Sequence, residues 1–237
     1  MDMVRSWQRG AACEECEVRP GAICASLAGD AFAALSRLGR KRRLARGQVL
    51  IWEGEENLFV GTLISGVLKL TAATSDGREQ IVGLAWPSDF VGSPFARRTG
   101  FRVTALSDAT LCLFDQRDFE ALVQHEPQME RDLLRRVTED LDRARRLMLL
   151  LGRMTAEERL ASLLVDMASR DPRGEQAGTQ TLDLPLRRQE LADVLGLTIE
   201  TVSRQLRKLS DAGVISVPDR RTIVLEDPAG LEAIAAA

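Results

Sequence analysis

The pattern of apolar and polar positions changes character twice along the 237-residue chain. Through residues 47–114, short β-like runs alternate with turn signals. Residues 49–52 precede Glu53-Gly54-Glu55, residues 58–64 precede Ser65-Gly66, and residues 67–71 and 79–84 flank Ser75-Asp76-Gly77. Asp76-Gly77 between two apolar runs predicts a hairpin. Closely spaced strands with glycine turns predict a small antiparallel roll or barrel; the pattern does not separate this from a β-sandwich.

After Pro127 the stretch to residue 151 contains neither Gly nor Pro, and Met129, Leu133, Val137, Leu141, Ala144, Met148 and Leu151 recur at steps of four and three. Such a narrow stripe predicts an amphipathic helix with a coiled-coil-like seam. Its other faces carry Arg131, Asp132, Arg135, Arg136, Glu139, Asp140, Arg143, Arg145 and Arg146. At ~1.5 Å per residue the helix would reach about 35 Å, too long for one small barrel to cover, which favours a homodimer seam built on Leu133, Val137, Leu141, Ala144 and Met148. Gly152 is expected to cap its end. Thr155, three residues before Glu158, then opens a second helix with a capping box. Residues 171–181 read as a polar loop, and the Ala-rich C-terminal tail as frayed.

Residues 188–209 have the layout of a helix–turn–helix. Leu191, Ala192 and Leu195 form an inner face, Gly196 supplies the turn, and Thr198 caps a second helix whose Val202, Leu206 and Leu209 point inward. That leaves Glu200, Ser203, Arg204 and Arg207 outward, near the N-terminal half, where a recognition helix meets base edges. Arg204 suits a bidentate contact to guanine, Glu200 can accept from a cytosine or adenine amino group, and Ser203 suits either role. Arg207 and Lys208 suit phosphates, which fix position rather than sequence. Two short runs around Pro218-Asp219, within residues 214–225, read as a wing. Double-stranded DNA is therefore the expected partner.

Charge changes this picture little. The net charge is −3, with 45% hydrophobic and 28% charged residues, as in an ordinary soluble globular protein. Basic residues concentrate at 37–46 and 204–208, and a basic run is by default a solvated face. No apolar run reaches the ~18 residues that cross a bilayer, and residues 1–7 lack an apolar signal segment, so a cytoplasmic protein without membrane association is expected.

The candidate chemistry lies in four cysteines. Cys13, Cys16 and Cys24 crowd into one Gly/Pro-containing segment, and Cys112 stands alone in an apolar run. Four thiolates are the number a 4Fe–4S cluster requires, and such sites combine clustered cysteines with a distant one. Structural zinc more often wants two CxxC-like pairs or added His ligands. A reducing cytosol argues against disulfides. Spacing alone leaves iron–sulfur, zinc and unrelated thiols open. A cysteine nucleophile needs a paired base, and with the single His125 and no recognisable triad, no enzyme is expected.

From Cys13 to Leu225 the chain resembles the CRP/FNR family of transcription regulators, in its FNR-type branch. The resemblance is carried by Arg46-Gly-Gln-Val-Leu50, Glu53-Gly54-Glu55, Ser65-Gly66-Val67, Asp89-Phe-Val-Gly92, Ala156-Glu-Glu-Arg-Leu160 and Thr198-Ile-Glu-Thr-Val-Ser-Arg204. It implies an α+β chain: a sensor domain at 1–125 with a cyclic-nucleotide-type β-roll and the cysteine segment 13–24, a dimerisation helix at 126–152, and a winged helix–turn–helix at 153–237. It further implies an oxygen- or redox-responsive activator, with Cys13, Cys16, Cys24 and Cys112 as ligands of one 4Fe–4S cluster per subunit. Glu200, Ser203 and Arg204 would read a TTGAT…ATCAA-like palindrome, and RNA polymerase would be a further partner. Residues 97–104 lack the Arg-Ser pair with which cyclic-AMP-binding members grip the phosphate, so cyclic nucleotide is not expected. The alternative within the family is a thiol/disulfide- or zinc-dependent redox regulator.

Overall fold

The computed structural model describes residues 8–9, 13–170 and 179–236. The chain divides into two compact units, one of Met1–Arg78 with Val82–Arg143, the other of Glu79–Ile81 with Ala144–Ala237. Residues 1–7, expected to carry no signal segment, lie outside the described residues, as does the greater part of the expected loop at 171–181.

The strands β1 (Gln8–Arg9), β2 (Arg40–Leu44), β3 (Val49–Ile51), β4 (Phe59–Ser65), β5 (Leu68–Ala73), β6 (Glu79–Ala85), β7 (Phe90–Val91), β8 (Arg102–Ala105) and β9 (Ala109–Asp115) make two sheets, all in the first unit except the first three residues of β6. Their orders are β1-β2-β9-β4-β7 and β3-β8-β5-β6, which is the expected roll. Gly77 adopts φ +86°, the left-handed conformation that the β5–β6 turn requires and glycine accepts without strain. Strand alternation then divides β4 and β9 between two cores. Leu63, Leu111 and Leu113 point into the roll with Leu44, Leu68 and Val103. Val60 and Phe114 point out, into a second cluster with Ile23, Leu27, Leu35, Phe119, Met129 and Leu133.

Three helices cover that outer face: α1 (Gly29–Leu38), α2 (Gln116–His125) and the start of α3 (Pro127–Arg153). Asp115 caps α2, its carboxylate accepting from the Arg117 (3.0 Å) and Asp118 (3.4 Å) amides. His125 closes α2 with its ring Nδ1 2.7 Å from the Ala121 carbonyl.

Two expectations about α3 are corrected. Gly152 is not a cap, because the helix continues through it to Arg153. Leu133, counted with the seam, is only 5% exposed and packs in its own subunit's core. The stripe left open is Leu134 (67% exposed), Val137 (51%), Leu141 (48%) and Met148 (72%), with exposed Ala144. These positions step by three and four, the phase of a heptad seam.

The basic run is also only partly a solvated face. It forms the end of α1 and the strand β2, whose alternation turns Arg42 inward to 5% exposure, its guanidinium 5.9 Å from the centre of the Phe59 ring. Burial lowers its pKa from the usual guanidinium value.

The second unit contains α4 (Ala156–Ser169), β10 (Gln180–Asp183), α5 (Arg188–Leu195), α6 (Ile199–Asp211), β11 (Ile215–Ser216), β12 (Thr222–Leu225) and α7 (Pro228–Ala235). The α4 capping box forms as expected: the Thr155 amide donates to Glu158 (2.8 Å) and the Glu158 amide to Thr155 Oγ1 (3.4 Å). The expected loop is corrected at its end, where Gln180 and Thr181 enter β10 and pair with Leu225 and Val224. The tail is corrected too: Pro228–Ala235 is a helix, not frayed, and fully buried Leu231 anchors it.

Candidate cysteine centre and DNA-reading helix

The segment bearing three cysteines folds as a strap of three 3₁₀ turns, Cys13–Glu15, Arg19–Gly21 and Ile23–Ser26. Short-range bonds hold it: the Arg19 amide donates to Cys16 (3.0 Å), Ala22 to Arg19 (3.1 Å) and Leu27 to Cys24 (3.3 Å). Buried Ala22, Ile23 and Leu27 pin it to the outer core, and the Arg19 guanidinium stacks 3.9 Å from the Phe32 ring centre. Cys112 meets the strap because it occupies the outward phase of β9, paired with Lys41 on one side and Thr62 on the other.

All four thiols line one cavity between strap, α1 and sheet, whose other walls are chiefly apolar. Two glycines clear the space around Cys112. A Cβ on Gly61 would lie 2.1 Å from the Cys112 carbonyl oxygen, and one on Gly39 would lie 3.1 Å from its Sγ. The thiols also sense one another. Burial pushes the Cys112 pKa up to about 12, with Cys13, Cys24 and Cys16 adding to the rise and Lys41 opposing it. Burial, then Cys16, raises Cys13 and Cys24 as well. All four are free thiols, and Cys112, raised furthest, stays protonated at neutral pH unless a metal replaces the proton.

The donor set fits a 4Fe–4S cluster: four sulfurs, with neither imidazole nor carboxylate lining the cavity. Among the described residues no three His, Cys, Asp or Glu converge tightly enough to hold a single metal ion. A cluster, being itself several atoms wide, takes ligands spread more widely than one ion does.

At the other candidate site, Gly196 takes φ +61° and turns α5 into α6. The Thr198 hydroxyl accepts from the Thr201 amide (3.2 Å) at the start of α6. Val202, Leu206 and Leu209 are buried, and Glu200, Ser203, Arg204 and Arg207 are exposed on the opposite side. The Glu200 carboxyl lies below its ordinary pKa, held there by its own backbone N–H and then by the Thr198 hydroxyl. Lys208, expected to be free for phosphate, forms an ion pair with Glu157. Thr222 and Arg221 amides donate to Asp219 (2.9 and 2.6 Å), shaping the wing between β11 and β12.

Arg159 is a structural residue that the sequence pattern does not single out. Its guanidinium donates to the carbonyls of Leu151 (2.8 Å), Met154 (2.9 Å) and Leu195 (3.0 Å), capping the last turns of α3 and α5 together. Only the Ala156-Glu-Glu-Arg-Leu160 motif hinted that this arginine is specified. In the roll, Arg98 donates to the Gly54 carbonyl (2.8 Å) and Arg97 is exposed.

A β-roll carrying a thiol-lined cavity, a long helix with an open apolar stripe and a winged helix–turn–helix define a DNA-binding transcription regulator of the roll-and-winged-helix class. Residues 41–126 match the cyclic nucleotide-binding domain family, and residues 158–234 match the Crp-like helix–turn–helix domain family. The chain is 42% identical over 222 residues to the transcriptional activator protein FnrL of Cereibacter sphaeroides, covering 92% of this chain and 90% of that protein. It is 36% identical to the nitrogen fixation regulation protein FixK of Bradyrhizobium diazoefficiens, covering 95% and 94%. The solved structure of FixK2 from Bradyrhizobium japonicum superposes with a TM-score of 0.77 at 31% identity, covering 84% of this chain and 98% of that one. The chain belongs to the CRP/FNR family of transcription regulators and is not an enzyme. Among the described residues no helix is long and apolar enough to cross a membrane.

Proposed function

We propose that this protein is an oxygen- or redox-responsive transcription activator that acts in the cytoplasm as a homodimer. It holds one 4Fe–4S cluster per subunit on Cys13, Cys16, Cys24 and Cys112 and reads a TTGAT…ATCAA-like inverted repeat, where it meets RNA polymerase. The observation that carries this reading is that the chain's only four cysteines, three from the strap and one from β9, line a single cavity. When bound, the cluster supplies iron–sulfur chemistry that oxidants destroy.

The remaining work belongs to the chain. The strap presents three thiols against β9, and its Ile23 and Leu27 share a core with Met129 and Leu133 of α3. Order in the strap is thereby felt at the first turns of the helix. Farther along, Val137, Leu141, Ala144 and Met148, joined by Leu134, offer the partner subunit an apolar seam. Pairing sets two recognition helices about one DNA turn apart, where Glu200, Ser203 and Arg204 address bases and Arg207 phosphate.

Anaerobic purification tests the reading. A brown protein containing iron and acid-labile sulfide, bleached by air, that binds a TTGAT…ATCAA duplex only before bleaching supports it. A colourless zinc protein, or a metal-free one whose thiols cycle to disulfides, would support the alternative redox regulator instead.

A further inference from the structure

The strap, the roll and α3 meet at one polar junction outside the thiol-lined cavity. Arg136, on a face of α3 that the sequence assigns to charge, has a side chain only 13% exposed, and its partner Asp132 only 12%. Its Nη2 donates to the carbonyl of Gly21 in the strap (2.8 Å), and its Nε donates to Asp132 (3.2 Å). Its Nη1 approaches the Ser88 carbonyl (3.5 Å) in the turn between β6 and β7.

That turn is rigid. Ser88 is a non-glycine residue at φ +79°, a conformation that persists only where its surroundings impose it. Here the Ser88 amide donates to the Leu63 carbonyl (2.8 Å) and the Leu63 amide to the Asp89 carbonyl (3.0 Å), clamping the turn to β4. The strap lies directly on it: the Ser88 hydroxyl donates to the Val18 carbonyl (3.4 Å), and a Cβ on Gly21 would meet that hydroxyl at 2.8 Å. Gly21 therefore lets the strap backbone come within reach of both Ser88 and Arg136.

We propose that Arg136 is the positioning residue that ties the cysteine strap to α3, so that the state of the cysteine site reaches the helix through the Gly21–Arg136–Asp132 connection. This rests on the function proposed above. The core shared by Ile23, Leu27, Met129 and Leu133 holds the two elements together through apolar contacts that carry no directional bond. A directional, charge-assisted bond from a guanidinium to a strap carbonyl fixes their register. The carbonyl belongs to the residue that closes the turn between Cys16 and Cys24, so displacing either thiol moves it.

The test uses full-length protein as wild type, Arg136→Met, which keeps the stem and removes the donors, and Arg136→Lys, which restores one donor. Circular dichroism confirms equal folding. In metal-free protein, alkylation by iodoacetamide is followed cysteine by cysteine by peptide mass spectrometry. Cys16 and Cys24 should react at least about tenfold faster in Arg136→Met, as expected from losing one charge-assisted bond from the closed state, with Arg136→Lys between. In protein reconstituted with iron and sulfide, Arg136→Met should keep the cluster absorbance while its dimer dissociation constant weakens about tenfold by analytical ultracentrifugation, a shift of ~1.4 kcal/mol. Unchanged alkylation together with wild-type dimerisation of the loaded variant would overturn the proposal and leave Arg136 an ordinary ion pair. Failure of the wild type to take up iron and sulfide would instead sink the cluster reading, and the alkylation rates would still decide whether Arg136 pins the strap.

Discussion

At the scale of single residues, the outer face of α6 separates two kinds of contact that mutation can tell apart. Arg204 stands beside Glu200 and Ser203 near the helix start, where a guanidinium can make a bidentate bond to one guanine. Arg207 lies one turn further on and suits a phosphate. Arg204→Ala should cost about 1–3 kcal/mol on the preferred duplex and relax discrimination at one base pair. Arg207→Ala should weaken all duplexes alike and lower the slope of log affinity against log salt by about 1. Anisotropy titrations on single-base operator variants at several salt concentrations separate the two patterns. Equal losses across all variants for both substitutions would refute the assignment of Arg204 to a base. These four side chains were legible in the sequence because helical phase alone sends them away from Val202, Leu206 and Leu209. Arg159 was not, since its three carbonyl partners come from the ends of two helices that only the fold brings together.

At the scale of elements, α3 shows how one residue of phase decides what a helix does. The sequence stripe runs from Met129 to Leu133 and then Val137, all at steps of four, and reads as one continuous face. The fold splits it: Met129 and Leu133 go to the subunit's own core, and the open seam starts at Leu134, three residues before Val137. Leu134 is a full heptad before Leu141, so the signal was present, but two adjacent leucines cannot be ranked without knowing what α3 packs against. Leu133→Ala should therefore destabilise the folded subunit by about 2–5 kcal/mol by leaving a core cavity. Leu134→Ala should leave the subunit's denaturation midpoint nearly unchanged and weaken self-association. Urea unfolding and sedimentation measured on both variants check this, and a reversed pattern would restore the original phase. The same limit explains the other misread elements. β10 hides in a polar loop because its pairing with β12 is non-local, and β2 hides in a basic run because only alternation against β9 turns Arg42 and Leu44 inward.

At the scale of the whole molecule, the fold brings Cys112 of the sheet to three thiols clustered near the start of the chain. The number and spacing of the cysteines were legible, whereas the cavity was not. It depends on the register that puts Cys112 opposite Thr62 and Lys41, and on Gly61, whose lack of a side chain lets the β9 backbone pass. Cys112 is the informative position to change because it belongs to the sheet while the other three belong to the strap. Cys112→Ala leaves β9 paired, keeps an apolar lining and removes the only thiol contributed from the sheet. The variant should fold, with roll stability lowered by no more than about 1 kcal/mol, since the loss is a single partly exposed sulfur. It should also fail to hold iron and sulfide, and its anaerobic affinity for a TTGAT…ATCAA duplex should equal that of air-exposed wild type. Biasing a regulator between two states requires only a few kcal/mol of differential stability, so removing one of the four proposed ligands should erase the proposed response without unfolding the chain. If Cys112→Ala kept its metal and still lost DNA binding in air, the strap alone would hold the group and the junction with β9 would be structural. If it held no metal yet bound the duplex at full anaerobic strength, the cysteine site would be uncoupled from α3, and the seam would be assembled by apolar packing alone.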